Sequence, residues 1–140
     1  YMGTEIMALF NTQLNPQENH ALHAATAALL IRTRFAELYE QLGIHPNPHY
    51  YRIGVHSGIA TLGNVGSFTR RDFTAIGDTI NLAKRLEENA TDGQIIISEE
   101  TQQLILATVG TKAPCRFEER EPIKAKGRQQ FTRVYEVFGL

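Results

Sequence analysis

Between residues 58 and 78 an otherwise β-prone sequence is punctuated by Gly58, Gly63, Gly66 and Gly77, and this stretch restricts the possible folds more than any other. Glycine inside strand-like sequence marks bulges, bends or close backbone approach. Residues 59–65 read as a strand, Arg70-Arg71-Asp72 as a polar tip, and Phe73-Thr74-Ala75-Ile76 as the returning strand of a hairpin. Gly77-Asp78 closes that hairpin, and Asp78 is placed to cap a helix carrying Ile80, Ala83 and Leu86 on one side. The stretch lacks the Gly-Lys-Ser/Thr ending of a P-loop, so a bulged hairpin is the better reading.

The flanks supply the remaining elements. Ile6-Met7-Ala8-Leu9-Phe10 is strand-like and follows Tyr1-Met2-Gly3 with no polar leader or signal peptide, so the chain reads as cut from something longer. Asn15 as N-cap, Pro16 at the first helical position and Glu18 three residues after the cap predict a long helix, about 27 residues and about 40 Å. Leu22, Ala25, Leu29, Phe35, Leu38 and Leu42 keep a helical spacing along it, and Gly43 suits its end. His45-Pro46-Asn47-Pro48 breaks regular structure, after which Tyr51, Ile53 and Val55 alternate with Arg52, Gly54 and His56 as in a central strand. Asp92-Gly93 ends the second helix, Ile95-Ile96-Ile97 is a short buried-type strand, and Ser98 caps a third helix to about Ala107. Arg116-Phe117 and Val134-Tyr135-Glu136-Val137 are the last strands. The order predicts an α/β (α+β) domain, a mainly antiparallel sheet covered by helices on one face.

Composition narrows the function classes. The chain has 140 residues with 42% hydrophobic content, suited to one domain over residues 1–140. Its 14 basic and 15 acidic residues leave a net charge of −1, which gives no electrostatic ground for a nucleic-acid groove or an anionic membrane surface. Cys115 is the only cysteine, excluding an internal disulfide and a Cys-rich zinc site and fitting a reducing, cytoplasmic setting. The apolar stretch from Ala24 to Ile31 is far short of the roughly 20 residues of a membrane span. His45 and His49 are four apart, but Pro46 and Pro48 exclude a helix that would bring them together, and His56 reads as a packed strand histidine.

The run Arg52-Ile53-Gly54-Val55-His56-Ser57-Gly58 through Gly63-Asn64-Val65-Gly66, then Phe73-Thr74-Ala75-Ile76-Gly77-Asp78-Thr79-Ile80-Asn81-Leu82-Ala83-Lys84-Arg85-Leu86, closely resembles the second half of class III adenylyl and guanylyl cyclase domains. The likeness continues through Gly93-Gln94-Ile95-Ile96-Ile97-Ser98 and Lys124-Ala125-Lys126-Gly127. It implies a ferredoxin-like βαββαβ core whose first strand and helices are absent from this chain, working as a homodimer or as a heterodimer with another cyclase domain. It also implies conversion of ATP or GTP to a 3′,5′-cyclic nucleotide and pyrophosphate in intracellular signalling.

Such a reaction needs a positioned ribose and neutralised phosphate oxygens. Asn81 and Arg85, four apart, share one helix face and can reach one ligand together. By resemblance Asn81 orients the ribose, Arg85 bonds the α-phosphate, and Lys126 contacts the terminal phosphates. The alternatives are plain exposed helix residues for the pair and a solvated basic loop for Lys126, which has Lys124 and Arg128 close by. Thr74 matches the position that reads the purine edge and favours ATP over GTP, against the alternative of an ordinary β-branched strand residue.

The resemblance further implies two Mg2+ or Mn2+ ions held by two aspartates. One position would precede Tyr1, and Thr4 occupies the other. A neutral hydroxyl cannot bridge two cations as a carboxylate does. Glu5 has the right charge but alternates to the other strand face unless a bulge turns it. In this respect the chain resembles the half of two-part cyclases that supplies Asn, Arg and Lys while its partner supplies the metal ligands. Two functions therefore stand: a cyclase completed by a partner or by Glu5, and a degenerate cyclase-like domain that binds nucleotide or a partner without turnover.

Overall fold

The computed structural model describes residues 5–12, 15–45, 51–65, 72–124 and 130–139, with backbone alone for the hairpin residues 61–65 and 72–76. The elements run α1 (His20–Gln41), β1 (Ile53–Val55), β2 (Thr61–Val65), β3 (Asp72–Ile76), α2 (Asp78–Asn89), β4 (Ile95–Ser98), α3 (Glu99–Val109), β5 (Cys115–Lys124) and β6 (Phe131–Gly139), with a 3-10 turn at Gly110–Lys112. Strands β1-β4-β6-β5 form one sheet, and β2-β3 form a separate hairpin. Among the described strands only the β1–β4 pair is parallel, so the sheet is mainly antiparallel as expected.

Strand β4 explains the layering. All four of its residues are buried, so both of its faces must be covered. Ile95 and Ile97 join Ala21, Ala25 and Ala28 of α1 and Ile105 of α3 in one core cluster, with Cys115 and Val137. Ile96, pointing the other way, joins Leu86 and Ala90 from α2 and its end, with Val134. Helices therefore cover both faces, correcting the one-face expectation: α1 and α3 lie on one side and α2 on the other. The unbroken Ile95-Ile96-Ile97 run requires this, since alternation would have left one face polar.

Four local expectations are also corrected. Residues 5–9 form no strand, and Ile6, Met7 and Leu9 are exposed, since no described strand pairs with them. Strand β1 lies at the sheet edge rather than its centre, with β4 its one ladder partner among the described residues. Helix α1 begins at His20 with Asn19 at its cap, later than the Asn15-Pro16 signal suggested. Thr12 and Asn15 instead exchange backbone hydrogen bonds of 3.2 and 3.1 Å, and the Asn11 carboxamide accepts from the Gln17 N–H, closing a loop ahead of the helix. In α2 the cap position belongs to Gly77, at φ 126°, and Asp78 is the first helical residue.

Other signals act as read. Gly43 at φ 68° ends α1, with Gly43 N–H donating to Glu40 O and Ile44 N–H to Tyr39 O, the paired bonds of a Schellman motif. The buried side of α1 is built of small residues, Ala21, Ala24, Ala25 and Ala28, which lets the helix lie close to the sheet, while Leu38 and Leu42 of the expected stripe are exposed. Arg32 hooks α1 to the sheet by donating to Val137 O at 3.1 Å and Gly93 O at 2.9 Å. Ser98 caps α3, its hydroxyl accepting from Thr101 N–H at 3.4 Å.

Candidate active site

Helix α2 carries the two residues singled out for ribose and phosphate. Gly77 supplies the left-handed φ that turns β3 directly into the helix, and its carbonyl accepts from Asn81 N–H at 3.1 Å, the first helical bond. Leu82 and Leu86, fully buried, anchor one side of α2. Asn81 is exposed and Arg85 is half-buried. At 100° per residue the two lie together, about half a turn from the Ala83–Glu87 side that rests on β1. Arg85 Nε is buried without a hydrogen-bond partner among the described residues. An unsatisfied buried donor costs about 1–3 kcal/mol, more when charged, so an acceptor arriving at this guanidinium would relieve an existing penalty. The residue is thus suited to an anionic ligand.

Thr74 lies on β3 opposite Gly63, three positions before the Gly77 turn, so hairpin and helix form one continuous unit. Glu5 meets Lys84 of α2 at 3.8 Å, with both side chains exposed. The segment following Thr4 is thereby tied to the helix of Asn81 and Arg85, and among the described residues no group of three His, Cys, Asp or Glu could hold a metal ion. The described residues by themselves assemble no ligand set for the two expected cations. Thr4 and Lys126 lie outside the described residues, as do the Arg70-Arg71 tip and His49. His45 is exposed and stands 3.9 Å from Glu40.

His56, just past β1, is packed as expected, its side chain 4% exposed. Its Nδ1 lies 2.7 Å from Ser98 Oγ, which lies 3.1 Å from Thr101 Oγ1, itself 2.9 Å from Ser57 Oγ. This chain of hydroxyls joins the β1–β2 loop to the start of α3. Sequence reasoning gave His56 no partner, because Ser98 is far away in the chain and was accounted for by its cap.

Two electrostatic features lie away from α2. On β5 and β6, Arg120 and Arg116 hold the Glu118 carboxyl below its ordinary range, and Glu118 and Glu136 raise the Arg120 guanidinium. Burial pushes the Cys115 thiol up, which keeps it protonated and unreactive.

The chain matches the adenylate and guanylate cyclase catalytic domain over residues 1–137. It belongs to that family. Among curated cyclases it is 30% identical to adenylate cyclase 1 of Rhizobium meliloti (strain 1021) and 32% identical to an adenylate cyclase of Anabaena cylindrica. These alignments cover 100% and 98% of this chain, but only 20% and 27% of the relatives' lengths. Among solved cyclase structures, the adenylyl cyclase CyaB from P. aeruginosa superimposes with a TM-score of 0.77 at 30% identity, covering 93% of this chain and 65% of that one. The guanylate cyclase domain of RhGC from Catenaria anguillulae, in complex with GTP, gives 0.65 at 26%, covering 89% and 62%. The mixed α+β plan is thus that of a cyclase domain, and the four-stranded sheet and three helices among the described residues make up part of it. No helix among the described residues of this cyclase domain is long and apolar enough to cross a membrane.

Proposed function

We propose that this chain is the ribose- and phosphate-binding portion of a nucleotide cyclase, acting on ATP in preference to GTP. One observation carries the reading: Asn81 and Arg85 occupy one side of α2, and the Arg85 guanidinium holds a buried nitrogen with no hydrogen-bond partner among the described residues. In the reaction the ribose 3′-oxygen attacks the α-phosphorus in line, the bond from that phosphorus to the bridging oxygen breaks, and pyrophosphate departs with the electron pair. The 3′-hydroxyl proton passes to solvent. Asn81 orients the ribose so that its 3′-oxygen faces the phosphorus, and Arg85 bonds the α-phosphate oxygens as charge shifts in the transition state. Lys126 holds the terminal phosphates as a point charge, and the Thr74 hydroxyl accepts from the adenine amino group.

Residues 1–140 act as one unit in the cytoplasm, completed by a second cyclase domain as homodimer or heterodimer. That domain supplies the carboxylates for two Mg2+ or Mn2+ ions, which the described residues here do not assemble. The test is full-length protein, alone and with a cyclase domain that carries the aspartates, given ATP or GTP with Mg2+ or Mn2+ and analysed for cyclic nucleotide. Product is expected at least in the mixed sample, reduced about a hundredfold or more by Arg85→Ala. Absence of product in every combination would overturn the assignment.

Thr4, in place of an aspartate, favours a second reading in which the domain binds nucleotide or a partner without turnover. Strong activity created by Thr4→Asp in an otherwise inert protein supports it, and wild-type activity abolished by Arg85→Ala eliminates it.

A further inference from the structure

Helix α2 rests on backbone rather than on side chains at one point of β1. A Cβ placed on Gly54 would lie 2.5 Å from Glu87 N, 2.7 Å from Ala83 O and 2.9 Å from Leu86 Cβ. The first two atoms are donor and acceptor of a single rung in the helix ladder, so neither can rotate away. Gly54 is absent from the glycines with positive φ, so space and not backbone conformation calls for glycine there. Asn81 and Arg85 project from the far side of α2, and any outward push at Gly54 moves them along the line of the push.

A second contact fixes the start of the helix. Thr79 Oγ1 donates to Ile59 O, and its side chain fills the space over Gly58, where a Cβ would come within 2.8 Å of that oxygen. The loop receiving this bond is itself tied to the β4–α3 junction through Ser57–Thr101 at 2.9 Å and His56–Ser98 at 2.7 Å. Helix α2 is therefore held to one frame at two places, in depth by Gly54 and at its first turn by Thr79.

We propose that Gly54 and Thr79 are positioning residues for the transfer step, setting where Asn81 and Arg85 meet the ribose and α-phosphate; this rests on the cyclase reading above. A shift of about 1 Å in a reacting group lowers turnover by about a hundredfold. A contact made mainly in the transition state shows its loss in kcat rather than KM.

The experiment compares full-length Thr79→Val, Thr79→Ser and Gly54→Ala with wild type by steady-state kinetics on ATP, under the conditions that give turnover, alongside thermal melting. Thr79→Val keeps the shape but loses the bond to Ile59 O, whereas Thr79→Ser keeps the hydroxyl. Thr79→Val and Gly54→Ala are expected to lower kcat about ten- to a hundredfold with KM changed less than about threefold, and Thr79→Ser to recover most of kcat. Wild-type kcat in Thr79→Val, a loss confined to KM, or a Thr79→Ser variant as impaired as Thr79→Val overturns the proposal. If Gly54→Ala does not fold, the Thr79 pair decides alone. If wild-type protein forms no cyclic nucleotide under any condition, the cyclase reading falls. The placement of α2 is then settled by crystal structures of wild type and Thr79→Val: a displaced first turn of α2 sustains the positioning role, and an unmoved one removes it.

Discussion

A guanidinium nitrogen left without a partner in a protein interior is a standing penalty, and Arg85 holds a buried nitrogen with no partner among the described residues, on the helix turned toward the proposed phosphate. Replacing it with an apolar side chain of similar length removes that penalty while deleting the phosphate contact. Arg85→Met is therefore expected to leave stability unchanged or raise it by about 1 kcal/mol in denaturant unfolding, while turnover falls about a hundredfold or more. A parallel loss of stability and turnover would mark Arg85 as structural. Cys115 provides a pH test of the core. Burial raises its folded pKa, so its contribution to stability is intact below the unfolded thiol pKa of about 8.5 and is lost as pH rises through the folded value. Melting temperature should decline across that alkaline window, and Cys115→Ala should flatten the decline even though it lowers stability at neutral pH.

At the scale of elements, Ser98 does two jobs, ending β4 by capping α3 and receiving His56. Ser98→Ala is expected to lower stability by about 1–2 kcal/mol, measured by denaturant unfolding, because both the α3 N–H and the buried imidazole lose a partner. Ile105, fully buried between α3 and the sheet, should cost about 2–5 kcal/mol on truncation to alanine. Local chemistry made some of this legible beforehand: the Ser98 cap, the Gly43 stop and the hairpin all follow from residues within a few positions of one another. The start of α1 was misplaced because Thr12 and Asn15 bond each other, a competition that a capping pattern does not register. Cover on both sheet faces was implicit in Ile95-Ile96-Ile97, whereas the edge position of β1 depends on what pairs beside it, which no local pattern records. The Asn81–Arg85 pairing was legible from helical spacing alone. Gly54 carried a readable sign, a glycine alternating with apolar residues in a strand, but which backbone it admits became visible only with α2 in place.

For the whole molecule, the candidate site is one-sided: α2 offers an amide and a guanidinium, and the described residues contain no group of three acids, histidines or cysteines able to hold a metal ion. Activity is accordingly expected to depend on protein concentration or on an added second cyclase domain. Turnover that rises more steeply than linearly with total protein, together with a dimer in size-exclusion chromatography, would bear this out; strict proportionality down to concentrations where only monomer elutes would not. The strand order adds a constraint of timing. Strand β6, which follows the other described strands in sequence, lies between β4 and β5, and Arg32 of α1 waits for Val137 O within it. On the ribosome, α1 can coil and the β2–β3 hairpin can close, but the sheet has a gap at its middle until β6 emerges. The three isoleucines of β4 thus keep one edge open while the residues between Ser98 and Phe131 are made, and production of this chain should be sensitive to whatever shields nascent apolar strands.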